Sequence, residues 1–424
     1  MSSLRPRFRH RRCVLLLFAV VSFGAADNAY AQAREPTPST ADAPGLEFGI
    51  IPLLGGSSDL GVGGGALASL TSFAPGYEPY RVRAEAGAVA TFKRAADAGW
   101  QAPYQDVYLA LTLPDLIPHR LRLEVRPSYT RESTQAYYGI GNASHAPTHG
   151  PEGQSGSDYF QYGRMHPSLQ LRILLTLGGA FFLQLGAALT YNQLDVHPDS
   201  QLDRDRHSSD VHIEQFFGPL RAHFVDEFEQ TLIYDTRDDE TSPTRGMYHQ
   251  LRLRLHPGGS GALPYRYGQF NATARGYVSV RPWLTLAARV VGDLQFGDVP
   301  FYELPRYDDT FALGGVSGVR GVPGQRYYGK RKLFGNLEAR MRVATFDAFE
   351  LPCSLAAVVF VDAGRLWSDW TPDPVLDGRG LGLKYGLGAG LRLQQGRAFV
   401  VRADAALSPD ARPIGVYVTA GQIF

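Results

Sequence analysis

The 424-residue sequence predicts an all-β fold, a transmembrane antiparallel β-barrel of about sixteen strands. Three observations lead there. Apolar and polar residues alternate with a period of two in segment after segment, as in strands with one greasy and one wet face. Arginine recurs on the wet face. No linker, domain break or composition shift follows Gly45, so residues 46–424 read as a single barrel domain.

The first thirty or so residues stand apart. Arg5, Arg7, Arg9, Arg11 and Arg12 precede an apolar run from Val14 to Phe23, and Ala29-Tyr30-Ala31 forms a small-residue cleavage site before Gln32. This reads as a secretory signal peptide over residues 1–31. The apolar run is shorter than the ~18 to 20 residues a spanning helix needs. Removing it takes away five arginines and one aspartate and leaves 393 residues with a net charge near −3, which gives no argument for nucleic acid as a partner. Cys353 is then the one remaining cysteine, so neither an intramolecular disulfide nor a cysteine-based zinc cluster is available. Residues 32–45, with Pro36, Pro38 and Pro44, read as a disordered periplasmic segment too short to fold.

Strands are expected to begin near Leu46, Leu60, Tyr80, Gln101, His119, Asp158, Gly179, Phe228, Met247, Tyr265, Trp283, Leu333, Glu350, Leu381, Arg397 and Ile414. Leu121, Leu123 and Val125 alternate with Arg120, Arg122, Glu124 and Arg126. The greasiest stretch, Ile173 to Leu189, is split by Gly178-Gly179 and reads as two strands and a tight turn; Phe181, Leu183, Leu185, Ala187 and Leu189 then form one face. Leu251, Leu253 and Leu255 alternate with Arg252 and Arg254. Phe270, Ala272 and Ala274 oppose Gln269, Asn271, Thr273 and Arg275, and Leu337, Ala339, Met341 and Val343 oppose Asn336, Glu338, Arg340 and Arg342. Long connections, Glu132 to Ser157, Leu194 to Val225 and Gly297 to Lys332, interleave with short ones such as Arg281-Pro282, as in barrels with long outer loops and short periplasmic turns.

Lipid decides the facing. An arginine turned to the bilayer midplane costs about 2 to 4 kcal/mol, so Arg120, Arg122, Arg252, Arg254, Arg275, Arg340 and Arg342 are expected to form a basic wall in the lumen. An open sheet edge in hydrocarbon would leave backbone groups unpaired, hence a closed barrel.

Four segments resemble the bacterial surface antigen superfamily of BamA/TamA-like outer-membrane assembly and secretion barrels. They are GGVSGVRG (Gly314 to Gly321), VVFVDAGRLW (Val358 to Trp367), YDTRDDETSPTRG (Tyr234 to Gly246), and YGLGAGLRL with a terminal Phe424; YYGIGN (Tyr137 to Asn142) is a weaker fifth. The resemblance implies that the Val-Arg-Gly loop folds back into the lumen and that Arg320 pairs with Asp362 on an inner wall, Glu338 being a second acid within the same reading. Gly314, Gly315, Gly318 and Gly321 would let the loop turn sharply and pack close, and an arginine in a narrow bore gains from a bidentate carboxylate. After Val-Arg-Gly the chain has Val322 where the family has an aromatic, which implies a weaker anchor for the loop tip. No periplasmic repeat domain is read ahead of the barrel, so the expectation is a barrel-only member.

Other constellations carry bland readings. Asp235, Asp238, Asp239 and Glu240 lack the ligand spacing of a calcium loop and read as a polar turn. Gly61 to Gly65 lacks the lysine of a phosphate loop, and no Gly-x-Ser-x-Gly elbow exists. His145, His149, His207 and His212 show no metal-ligand spacing. No catalytic residue, metal or cofactor is expected, and the chain does not read as an enzyme. The expected setting is the bacterial outer membrane, with lipid around it and a periplasmic or client protein as partner. Three functions fit: a barrel that assists insertion or export of other proteins by parting its first and last strands, with Gly421 and Phe424 at the closing strand and Gly45 and Gly49 beside the first; a passive, anion-favouring pore; or a structural barrel anchoring a separate periplasmic partner.

Overall fold

The computed structural model describes residues 45–77, 80–95, 99–117, 120–146, 150–151, 156–307, 310–348, 351–395, 399–410 and 414–424. The expected signal peptide and residues 32–44 lie outside these, as do His119, His149, Glu350 and Arg397.

Among the described residues the wall is a closed antiparallel sheet of sixteen staves. In chain order they are β1 (Gly45–Ser57), β2 (Gly61–Phe73), β3 (Val82–Ala95), β4 with β5 (Gly99–Gln101 and Tyr104–Ile117), β6 (Leu121–Ala136), β7 with β8 (Gln161–Met165 and Ser168–Gly178), β9 (Phe181–Val196), β10 (His223–Asp235), β11 (Gly246–His256), β12 (Tyr267–Arg281) and β13 (Leu284–Gly297). A small hairpin, β14 (Arg306–Tyr307) with β15 (Thr310–Phe311), sits in the long connection that follows. The wall resumes with β16 (Arg331–Ala348), β17 (Leu351–Trp367), β18 (Lys384–Gln395), β19 (Phe399–Leu407) and β20 (Gly415–Ala420). Each stave pairs with its sequence neighbours, and β1 meets β20 to close the ring. Among the described residues no helix is long and apolar enough to cross a membrane; in a barrel the strands make the crossing.

The period of two sets the facing. On β11, Tyr248, Gln250, Arg252, Arg254 and His256 are buried while Met247, Leu251 and Leu255 are exposed. On β12 and β13, Gln269, Asn271, Thr273, Arg289, Asp293 and Gln295 are buried and Phe270, Val278, Leu286 and Val290 are exposed. The exposed leucines, valines and phenylalanines form the lipid face and the buried polar groups the bore. Gly178 and Gly179 both take positive φ, so the greasiest stretch is indeed broken into β8 and β9.

Three expectations need correction here. Arg120 is exposed in the turn before β6 rather than on the wall, because the lattice of β5 and β6 pairing stops at Ile117 and Leu121. β10 starts at His223, five residues before Phe228, because His223, Val225 and Glu227 keep alternating inward above the apolar band. The outer loops are shorter than expected for the same reason: β6 runs on to Ala136 and β9 to Val196.

Candidate functional site

The site is built where the long connection between β13 and β16 drops into the bore. Gly314, Gly315 and Gly321 take φ of 137°, 71° and 94°, a region that side chains other than glycine avoid. Gly318 does not, but a Cβ there would lie 2.3 Å from the Ala312 carbonyl. The loop therefore folds tightly on itself and points Arg320 at the wall.

Arg320 has no solvent exposure. Its Nε donates to Asp362 Oδ2 at 2.7 Å, its Nη2 to Asp362 Oδ1 at 3.0 Å, and its backbone N–H to the same carboxylate at 3.0 Å. Nη1 donates to Glu338 at 2.7 Å and to Asp404 at 3.1 Å. The guanidinium lies 3.4 Å above the Phe360 ring, a cation–π contact in a desolvated place. The period of two on β17 explains the pairing, since Phe360 and Asp362 face in while Val359 and Val361 face lipid.

The acids are shared. Arg340 donates to Glu338 at 2.8 Å, and Arg392 donates to Asp404 at 2.6 Å and to Glu338 at 3.3 Å. Three arginines thus balance Glu338, Asp362 and Asp404, which is how buried charge is tolerated at all. The wall itself is notched for the loop. A Cβ on Gly386 would sit 1.8 Å from the Arg320 carbonyl oxygen, so any other residue there would push the loop off its seat.

Sequence reasoning reached Arg320, Asp362 and Glu338 but passed over Asp404, Arg392, Arg289 and Arg402. The signal was present: Arg402 and Asp404 alternate with Val401, Ala403 and Ala405, and Arg289 is one cation in an apolar strand. Arg289 Nη2 bonds the Ser317 carbonyl and its Nη1 donates to Ile423 O at 3.2 Å, so one side chain ties the loop to the C-terminal residues. Arg402 donates to Val316 O at 2.8 Å. Val322 is fully buried among Tyr307, Leu313, Val319 and Phe334, and the tip is held instead by Gly321 N donating to Tyr417 Oη at 3.0 Å and Gly324 N donating to Asp59 at 3.0 Å. The missing aromatic does not leave the tip loose.

Elsewhere on the wall, Arg122, Arg252 and Arg254 are buried in the bore, Arg254 donating to Glu229 at 3.3 Å. Arg275 lies 4.8 Å over the Tyr248 ring, and Arg342 is exposed at the short-turn mouth, where it donates to Pro282 O at 2.6 Å. The wall is therefore not simply basic, because acids interleave with the arginines. The carboxylates of Asp238 and Asp239 are spent on the backbone N–H groups of Thr244, Arg245, Thr241 and Ser242, which builds the polar turn.

Above the network the bore is roofed by aromatic residues. Tyr137, Tyr162, Phe301, Tyr302 and Tyr328 pack together, with Tyr328 donating to Ala136 O at 2.6 Å. Arg164 pairs with Glu303 at 2.9 Å and Arg306 with Glu132 at 2.8 Å, pinning the root of the inserted loop. Burial alone would raise the Glu303 carboxyl; Arg164 and Arg306 outweigh it and hold it below the ordinary glutamate range.

The seam is unlike every other junction. β1 pairs with β2 from Gly45–Phe73 through Ser57–Gly61, yet it meets β20 only at Gly56–Val418 and Ser57–Tyr417, with one further bond from Ser58 N to Val416 O at 2.9 Å. Gly45 and Gly49 are paired with β2 and lie on the length of β1 that β20 does not reach. The cause is Gly421, whose φ of 79° turns the chain inward. Ile423 and Phe424 are then buried against Tyr277 and Ala287, and Arg340 donates to Phe424 O at 3.1 Å.

A family model described as the Omp85 superfamily domain matches residues 101–424. Among solved structures, the chain is similar to BamA from Haemophilus ducreyi lacking POTRA domains 1-3, at 14% identity and a TM-score of 0.58, covering 90% of this chain and 70% of that one. It is also similar to CdiB from Escherichia coli, at 13% identity and a TM-score of 0.54, covering 88% of this chain and 62% of that one. At such identities the likeness is one of fold. No curated protein sequence matches.

Proposed function

The chain belongs to the Omp85 superfamily, and from that premise we propose that it helps insert or export other proteins by parting its first and last strands. The barrel is a protein of the bacterial outer membrane. One observation carries the reading: the edge of β1 from Gly45 to Gly55 has no partner on β20, because the last residues turn into the bore at Gly421. Unpaired backbone groups within a membrane are costly, and an exposed strand edge is a template for an incoming strand. A client strand arriving from the periplasm would meet that edge first. On this reading the work is mechanical, and no residue is assigned a catalytic role.

A passive pore is less well supported. The inserted loop and its network occupy the bore where an anion would pass, and the acids beside Arg320 cancel the basic wall.

The test locks the seam. Ser58→Cys with Val416→Cys places one thiol in the turn after β1 and the other on β20, at the closed end where Ser58 N donates to Val416 O, outside the lumen network. With the crosslink verified in oxidising medium, cells that depend on this barrel should show a changed complement of outer-membrane or exported proteins, restored on reduction. An unchanged complement in the locked state would sink the proposal.

A further inference from the structure

The short-turn end of the bore opens into a cavity of about 550 Å³ into which five arginines project and no carboxylate does. Arg245 comes from the turn after β10, Arg281 from the end of β12, Arg340 and Arg342 from β16, and Arg392 from β18. Arg340 and Arg392 share Glu338 and Asp404 deeper in the bore. Those acids are already balanced with Asp362 against Arg320, so Arg245, Arg281 and Arg342 make no ion pair among the described residues. Arg281 and Arg342 donate only to the backbone carbonyls of Val280 and Pro282. A second, independent observation points the same way: Arg340 is 7% exposed, yet its Nη1 has no hydrogen-bond partner. A buried guanidinium nitrogen without an acceptor is costly, and an entering carboxylate would relieve it.

We propose that this mouth is a docking site for an acidic peptide segment of a periplasmic protein. It goes beyond the insertion reading and does not depend on whether the seam opens. The cations sit on four separate elements around a space within the size range of ligand pockets, so a single small anion meets only part of them, whereas carboxylates spaced along a chain meet several. Guanidinium forks match carboxylates bidentately. Pro243, Pro282 and Trp283 line the same space and offer apolar surface to the stems of such side chains. The site looks into the bore rather than at lipid, because Arg340 and Arg392 in its lining are buried in the bore, and Ser279 alternates with Val278, which is exposed on the outer face. The tail is adjacent, since Gln422 lines the cavity and Arg340 holds Phe424.

The test uses the full chain folded in zwitterionic detergent and a fluorescein-labelled peptide of alternating glutamate and glycine, read by anisotropy at low salt. Saturable binding is expected, weakened about tenfold in R281Q/R342Q, as loss of charge-assisted contacts requires. R204Q/R206Q removes the same charge from the short outer helix Gln201–Arg206 and should leave binding within about twofold. Heat-modified mobility on gels verifies that each variant is folded, and R245Q, in an exposed turn, is the fallback, with a loss of about threefold. Absent binding, equal binding in R281Q/R342Q, or equal losses in both double variants would overturn the proposal. So would displacement by inorganic phosphate, or by micelles containing phosphatidylglycerol, as effective per charge as the unlabelled peptide, since either reassigns the site to phosphate.

Discussion

Arg320 touches three carboxylates and an aromatic ring, and each contact depends on its being a planar five-donor cation. Arg320→Ala should leave the buried Asp362 without its guanidinium partner, and Glu338 and Asp404 with one cation fewer, at a cost of about 3–5 kcal/mol. The expected result is a lower unfolding temperature on heat-modified gels and protease access to residues 310–330; an unchanged loop position would refute the seat. Arg320→Lys should fall between, because one ammonium cannot reach all three acids. Glu303 offers a pH test in the outer roof. A carboxyl held below its unfolded value contributes stability above that value and loses it as pH falls through the folded one, so the roof should loosen below about pH 4.3, the ordinary glutamate value. Hydrogen exchange of the amides around 301–307, corrected for intrinsic pH effects, should show it, and Glu303→Gln should already exchange faster at pH 7. Arg320, Asp362 and Glu338 were legible through the family resemblance of their motifs, with alternation along β16 and β17 adding the inward facing of Glu338 and Asp362. Asp404 and Arg392 pair with each other across the neighbouring strands β18 and β19, but their links to Arg320 and Glu338 span 84 and 54 positions of chain, so their place in the shared network was not legible.

At the scale of elements, the staves were readable because lipid on one side and a polar bore on the other force a strict period of two. Their upper ends were not, because above the membrane the outward face no longer needs to be apolar, as at Asp226 on β10. The closing strand was half legible: Gly421 marked a weak point, but its inward turn follows from where Arg340 and Tyr277 stand across the bore. Replacing Gly421 by valine should disfavour the positive φ by about 1–2 kcal/mol, straighten the tail and lengthen β20. The check is disulfide trapping between Leu54→Cys and Ala420→Cys, which should rise relative to the parent. No increase would mean that the tail is held inside by its contacts alone.

Among the described residues the molecule is a ring of strands, narrowly joined at one seam, with its middle filled by the inserted loop; the even strand count and the glycine-rich loop foretold the ring and its filling. Current through a planar bilayer should therefore be small for the parent chain and rise several-fold, an order-of-magnitude expectation from widening a constriction, when residues 312–326 are replaced by a short glycine–serine link. Large, steady, anion-selective current from the parent would favour the pore reading. The notch at Gly386 has a further consequence, for chimaeras. The loop's backbone is cast against a particular hollow in β18, so grafting the loop from a distant homologue would fail unless the matching stave travelled with it. The two segments form one exchangeable cassette, although more than sixty positions of chain separate Arg320 from Gly386.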